Sequence, residues 1–311
     1  LLSVIIPAFN ESNNLKNTIE EIKKLIENKD LSKEYEIVVV DDHSDDNTYH
    51  IVESFKDNRI KCVRLSRRSG SHIALRAGIA KAKGDAVLCI SADGQDDPNI
   101  LGEMIKKWSA GTHIVWALCK RRREPFFIKW CALFFYKMLE RLTDLNKAQI
   151  DLSRVNFYLL DKKVVEAINQ CPERNTSLFG LISWLGFKQD YVEFERRERK
   201  FGKSKWNFRS RFHLAKDWIV AFSGLPLKLM SVVGMFVSLV GFLYAFFIIA
   251  YAILGNPVQG WASTMVVILI LGGLFMLMLG IIGEYVWRNL DESRRRPLYF
   301  IEKSTSKEPD E

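Results

Sequence analysis

The sequence predicts an α/β protein with a mostly parallel sheet, followed by amphipathic interface helices and two transmembrane helices. Three observations predict it. From Leu1 to about Lys120, short β-branched apolar runs alternate with segments of helical periodicity, the pattern of a parallel sheet covered on both faces. The 55 residues from Leu229 to Gly283 contain no Asp, Glu, Lys or Arg, enough to cross a bilayer twice at about 20 residues per span. Two acidic clusters follow strand-like runs, where open α/β sheets bind their ligands.

The elements follow in order. Leu2–Pro7 is an apolar strand, and Leu15, Ile19, Ile22, Leu25 and Ile26 fall at helical spacing behind Asn10 and Ser12 as turn and cap residues. Glu36–Asp41 is a buried strand; the polar loop 42–47 leads into a helix over 48–55. Ile60–Leu65 is a strand, Ser69–Ala82 a helix and Ala86–Ile90 the fourth strand. Further strands are expected at Thr112–Leu118, Asn156–Leu160 and Gln189–Glu195, and helices at Pro125–Leu142, Lys162–Asn169 and Ser177–Leu185. Phe208, Phe212, Ile219 and Phe222 form an apolar stripe among Arg209, Arg211 and Lys216, as in a helix lying in a membrane interface. The spans are about Leu229–Leu254 and Trp261–Ile282, joined by a charge-free turn. Lys216 and Lys228 before them, and Arg288 and Arg294–Arg296 after, place both flanks in the cytoplasm. The organisation expected is a cytosolic domain over 1–206, juxtamembrane helices over 207–227, a hairpin over 228–286 and a mobile cytosolic tail over 287–311.

Composition narrows the function. With 48% hydrophobic and 26% charged residues in 311, the chain is not disordered, and its mean hydropathy of −0.04 averages a highly charged part with a charge-free one. The net charge of +8 allows nucleic acid, an anionic membrane or a phosphorylated substrate; the membrane segment favours the last two, and nucleic acid is not needed. Five cysteines without metal spacing read as reduced thiols in a cytosolic compartment. No signal peptide is visible, and the absence of an initial Met implies a short leader before Leu1.

Several motifs together resemble glycosyltransferase family 2 enzymes of the GT-A fold, and more narrowly the polyprenyl-phosphate glycosyltransferases. They are Val4-Ile-Ile-Pro-Ala-Phe-Asn-Glu11, Val39-Val-Asp-Asp-His-Ser-Asp-Asp-Asn-Thr48, Ser91-Ala-Asp-Gly-Gln-Asp-Asp-Pro98, Pro172-Glu-Arg-Asn175, Trp184-Leu-Gly-Phe187, Arg199 to Trp206 and Phe222-Ser-Gly-Leu-Pro-Leu227, with two spans after them. The branch most similar is that of the bacterial bactoprenol glucosyltransferases; dolichol-phosphate mannose synthase is more distant. The resemblance implies nucleotide binding by Pro7, Asn10, Glu11, Asp41, Asp42 and Asp93. It implies a Mg²⁺ or Mn²⁺ on Asp93 and Gln95, whose oxygens suit a hard cation. It implies capture of the acceptor phosphate by Arg199, Ser204 and Lys205, an Arg fork beside a Lys point charge.

Two positions depart from the family pattern. Ser91 stands where a first metal-site Asp is usual, and Asn156 where an acid precedes Phe. Asn156 cannot take a proton but could still orient acceptor or sugar by hydrogen bonds; the nearby Asp151 could supply a carboxylate, and Asp96 and Asp97 are runner-up metal ligands. Asp97 could instead cap the helix that begins at Pro98. The expected reaction is inverting transfer of a sugar, most simply glucose, from a UDP-sugar to undecaprenyl phosphate at the inner leaflet of a bacterial plasma membrane. The resemblance also suggests a homotetramer and a separate flippase. Transfer from GDP-mannose or a UDP-aminoarabinose derivative, or a catalytically impaired membrane scaffold, are the alternatives.

Overall fold

The computed structural model describes residues 1–120, 150, 154–174, 176–197, 225–253 and 260–306. These fall into two compact units, one holding the sheet and one holding the two long helices.

The first unit is a mixed eight-stranded sheet. Its elements are β1 (Leu2–Ala8), α1 (Leu15–Asn28), β2 (Tyr35–Asp41), α2 (Thr48–Glu53), β3 (Ile60–Leu65), α3 (Ser71–Lys81), β4 (Ala86–Cys89), α4 (Leu101–Ser109), β5 (Ile114–Cys119), β6 (Val155–Asp161), α5 (Lys162–Gln170), α6 (Leu178–Trp184) and β7 (Gln189–Phe194). The strand order is β7-β5-β6-β4-β1-β2-β3-β8, where β8 is Ile301–Ser304. β1 pairs in parallel with β2 and β4, β2 with β3, and β5 with β7. β6 runs antiparallel between β4 and β5.

The continuous apolar runs have a structural reason: both faces of the central strands are buried. Val4 and Ile6 of β1 and Ile37 and Val39 of β2 meet Leu15, Ile19, Ile22 and Ile26 of α1, with Leu101 and Met104 of α4, on one face. Ile5, Val38 and Val40 point the other way, onto α3, α5 and α6. These four residues of α1 are no more than 1% exposed, and burial of each stabilises the fold by about 1.5–3 kcal/mol. α3 lies close on the sheet because Gly78 has no side chain; a Cβ there would sit 2.2 Å from Ile5 Cγ2 and 3.0 Å from Val40 Cγ2.

The C-terminal tail corrects the sequence reading. It was expected to be mobile, yet its residues return to the sheet. β8 pairs antiparallel with the outer edge of β3, Val63 facing Ser304 and Arg64 facing Lys303. Thr305 accepts from Cys62 N through Oγ1 at 2.8 Å and donates its own N–H to Cys62 O at 3.0 Å. An edge left with unpaired backbone groups favours foreign pairing, and this strand covers it.

The second unit holds α7 (Leu225–Ile253) and α8 (Trp261–Ser293). Both contain stretches long and apolar enough to cross a membrane, Leu229–Ala250 and Ile270–Ser293, with nothing buried inside the protein. The helix of the second span continues beyond its expected end at Ile282, and Glu284 pairs with Arg288 one turn on at 3.1 Å.

Candidate active site

Strand direction gathers the expected site. β1, β2, β3 and β4 point one way; β5 and β7 point the same way because β6 between β4 and β5 is reversed. Six carboxyl ends and the amino end of β6 therefore share one edge. Register makes this specific. Ala8 faces Asp41, Cys89 faces Tyr158 and Cys119 faces Phe194. Asn156, two residues before Tyr158, thus lies beside Ser91, two residues beyond Cys89.

The loops after β1 and β2 are stitched into one unit. Asn10, at φ +52°, adopts the left-handed conformation that Asn tolerates better than most residues. Its N–H donates to Ser44 Oγ at 2.9 Å, and its Oδ1 accepts from Asp45 N at 2.9 Å. Glu11 N donates to Thr48 Oγ1 and Ser12 N to Asp46 Oδ2, while Glu11 Oε2 accepts from Asn14 Nδ2. Asp42 N donates to Ala8 O at 2.9 Å, just after Pro7. Pro7, Asn10, Glu11, Asp41 and Asp42 are thus brought together.

Both aspartates also support the loops. Asp41 is fully buried, accepts from Ser44 N at 2.9 Å and pairs with Arg64 Nη1 at 2.8 Å. Asp42 accepts from Ser69 N at 2.6 Å and Gly70 N at 2.8 Å, which fixes the start of α3. Burial raises the Asp42 pKa against those two bonds, and neighbouring Asp41 adds to the rise. A carboxylate has about four acceptor positions, so neither is exhausted. An open cavity of about 390 Å³, lined by Ser44, Asp46, Tyr49, Arg64 and Lys303 among others, borders this loop but does not include Asp93 or Gln95.

The loop after β4 carries the second cluster. Asp93 Oδ1 accepts from Ser91 Oγ at 2.9 Å and from Gln95 N at 3.1 Å. Asp96, 4% exposed, accepts from Ser91 N, from Ser91 Oγ and, through its other oxygen, from Asn156 Nδ2 at 3.2 Å. Burial raises the Asp96 pKa; the Ser91 bond opposes the rise, the Asp93 charge adds to it, and the Asn156 bond opposes it. Ser91 has one hydroxyl proton for two carboxyl groups. An Asp96 that keeps its proton lets Asp96 donate to Ser91 and Ser91 donate to Asp93. The two departures from the family pattern, Ser91 and Asn156, therefore meet on one buried acid. Asp97 does cap the turn at Pro98, accepting from Asn99 N at 3.1 Å.

Two arginines just beyond β7, Arg196 and Arg197, complete this cluster. Arg196 Nη2 donates to Gln95 Oε1 at 2.8 Å and lies 3.9 Å from Asp93 Oδ2. Arg197 N donates to Gln95 O at 3.0 Å, and its side chain pairs with Asp97 at 2.7 Å and Glu21 at 2.6 Å. The signal was the strand end: Phe194 faces Cys119, so the next residues must emerge at the site edge. Asp93 and Gln95 side-chain oxygens thus converge on a positive charge, and hard oxygen donors around a cationic stand-in fit Mg²⁺ or Mn²⁺. Among the described residues no group of three or more His, Cys, Asp or Glu is arranged to hold a metal, so a bound ion would complete its shell with oxygens from the nucleotide and water. Asp151, Arg199, Ser204 and Lys205 lie outside the described residues, as do the segments expected to form the Pro125–Leu142 helix and the stripe from Phe208.

Comparison with known proteins agrees with this geometry. The family model for Glycosyl transferase family 2 matches residues 3–166. An uncharacterized glycosyltransferase of Synechocystis sp. is 41% identical over 304 residues, covering 96% of this chain and 94% of that protein. The bactoprenol glucosyl transferase of Shigella phage SfV is 36% identical over 310 residues, covering 98% and 99%. The crystal structure of a mycobacterial protein superposes with a TM-score of 0.50 at 17% identity, covering 70% of this chain and 74% of that one, a likeness of fold alone. A mixed α/β sheet of GT-A type, with its acidic loops at one edge, and relatives matched over nearly the whole chain lead to one conclusion: the chain belongs to glycosyltransferase family 2 and is a glycosyltransferase.

Proposed function

We propose that the protein transfers glucose from UDP-glucose to a polyprenyl phosphate, undecaprenyl phosphate in bacteria, with inversion at the anomeric carbon. One observation carries the reading. The family model ends at residue 166, but similarity to a bactoprenol glucosyl transferase extends over 98% of the chain, so it includes the two apolar helices. A lipid acceptor gives those helices a purpose. The basic residues flanking them favour a catalytic domain and termini on the cytoplasmic side.

In this reading the joined loops at Pro7–Glu11 and Asp41–Asp46 receive the nucleoside, with carboxylate acceptors suited to uracil N–H and ribose hydroxyls. Asp93 and Gln95 would hold Mg²⁺ or Mn²⁺, which when bound neutralises charge growing on the leaving diphosphate. Ser91 keeps the Asp93 carboxylate oriented, and Asn156 with Asp96 keeps Ser91 in place. No general base is required. A phosphate monoester has a second pKa near ~6 and is largely dianionic at neutral pH. Held in line by Arg199, Ser204 and Lys205, its oxygen attacks the anomeric carbon from the face opposite UDP. Asp151, nearby in sequence to Asn156, could supply a carboxylate for orienting the acceptor. The product is a polyprenyl monophosphate sugar, which needs a separate flippase to cross the membrane. The assembly proposed is a homotetramer.

The donor is tested with purified protein, a polyprenyl phosphate and a panel of radiolabelled UDP-glucose, GDP-mannose and UDP-aminoarabinose derivatives, with and without EDTA. Preference for UDP-glucose and loss of product in EDTA support the reading. A different preferred donor removes the glucose assignment, and EDTA-resistant product removes the metal role of Asp93 and Gln95.

A further inference from the structure

Arg196 stands where the proposed function expects the divalent cation. Its Nη2 is 2.8 Å from Gln95 Oε1 and 3.9 Å from Asp93 Oδ2, the two oxygens that the proposed function assigns to the metal. All three side chains belong to strand-end loops that register places at one edge: Asp93 and Gln95 follow β4, and Arg196 follows β7. The hydrogen bonding of the arginine is incomplete. Its Nε is buried with no partner, a costly state for a donor. What holds the guanidinium there is the charge and oxygen of the two ligands. A divalent ion offers those oxygens a denser charge, and both cations cannot occupy the same point. The segment carrying Arg196 is also fixed to the same loop by Arg197, through Gln95 O, Asp97 and Glu21, so the guanidinium is delivered by a short tether.

We propose that Arg196 is a built-in counter-ion for the metal site: it holds Asp93 and Gln95 together in the donor-free enzyme, and the divalent cation must displace it to bind. The inference rests on the reading of Asp93 and Gln95 as metal ligands. It makes Arg196 a positioning residue.

The test is Mn²⁺ binding to the full-length protein in an uncharged detergent, without nucleotide, read as loss of the free-ion electron paramagnetic resonance signal. Couplings between linked binding events are typically 5–150-fold, and with the lower end as the threshold Arg196→Gln should bind Mn²⁺ about fivefold or more tightly than the unaltered protein. Arg197→Gln removes the same charge from the same segment without touching the Asp93 or Gln95 side chains, and loosens only the tether, so it should raise the affinity less than Arg196→Gln does. Asp93→Asn should abolish the binding. Unchanged or weaker binding in Arg196→Gln overturns the proposal, as does an equal gain in Arg197→Gln. If Asp93→Asn binds Mn²⁺ normally, the metal reading falls and the proposal with it; if only Asp93→Asn behaves as expected, the metal reading stands and the proposal alone falls. Should Arg196→Gln fail to fold, Arg196→Lys, which keeps the charge but loses the fork, should show a smaller gain, and no gain overturns the proposal.

Discussion

Replacing Arg64 with Met should be among the most damaging single changes outside the apolar core. Arg64 Nη1 is 2.8 Å from Asp41 Oδ2, and the side chains are 18% and 0% exposed. Met keeps most of the aliphatic volume but leaves a buried carboxylate without its cation. Removing one partner of a buried pair costs about 3–5 kcal/mol. Asp41 keeps its bond from Ser44 N at 2.9 Å, which argues for the lower end. The 3.0 Å pair between Arg64 and Glu302 is also lost, but Glu302 is 37% exposed and such pairs contribute about 0–1 kcal/mol. At about 2–4 °C per kcal/mol for a domain of this size, 3 kcal/mol lowers Tm by about 6–12 °C. Intrinsic fluorescence on heating reads it. Asp41→Asn combined with Arg64→Met removes the orphaned charge and should regain much of the loss, a coupling measured by the double-mutant cycle. UDP affinity should fall with stability, because Asp41 anchors Ser44 and Ser44 anchors Asn10. A Tm change under about 2 °C, or a double variant no better than Arg64→Met, would refute the reasoning.

Truncation after Arg296 removes β8 and the Thr305 bonds to Cys62, so it should lower Tm and increase self-association on size-exclusion chromatography; a stable, unassociated truncated protein would show that the β3 edge needs no cover. His72, at the start of α3, has its pKa lowered to about 4 by burial, and its Nδ1 is buried without a partner. The ring is neutral in the fold and protonates more readily when unfolded, so its contribution is complete above pH about 6.5 and is lost as pH falls towards 4, by at most about 3 kcal/mol. His72→Phe should flatten that part of the stability profile between pH 7 and 4, and an unchanged slope would assign it to other groups.

Most of the sheet was legible because its central strands are buried on both faces and therefore read as unbroken apolar runs; β1 and β2 lie where Leu2–Pro7 and Glu36–Asp41 indicated. Direction was not legible for β6. Val155–Asp161 has the same apolar pattern whichever way it runs, and only its register against Cys89 brings Asn156 to Asp96. β8 was hidden for a different reason. Four residues, Ile-Glu-Lys-Ser, in a charged tail have no periodicity to read, and their strand character comes from pairing with β3 across some 240 positions of chain. In the candidate site, charge alone marked Asp41, Asp42 and Asp93, but not what holds them. The partners of Arg64 and Arg196 are distant in sequence, so charge alone does not reveal them. Ser91 stands where the family has an acid, and the role of its hydroxyl, which links Asp93 to Asp96, is visible only in the fold.

The central claim is sugar transfer to a lipid phosphate. It is tested most directly by incubating the purified full-length protein with undecaprenyl phosphate and radiolabelled UDP-glucose and extracting the products into butanol. The account predicts a labelled glucosyl monophosphate lipid whose formation depends on both the acceptor and a divalent ion, and whose acceptor KM rises in Lys205→Ala while UDP binding is retained. Folded protein that forms no lipid-linked sugar from any nucleotide-sugar donor would contradict it.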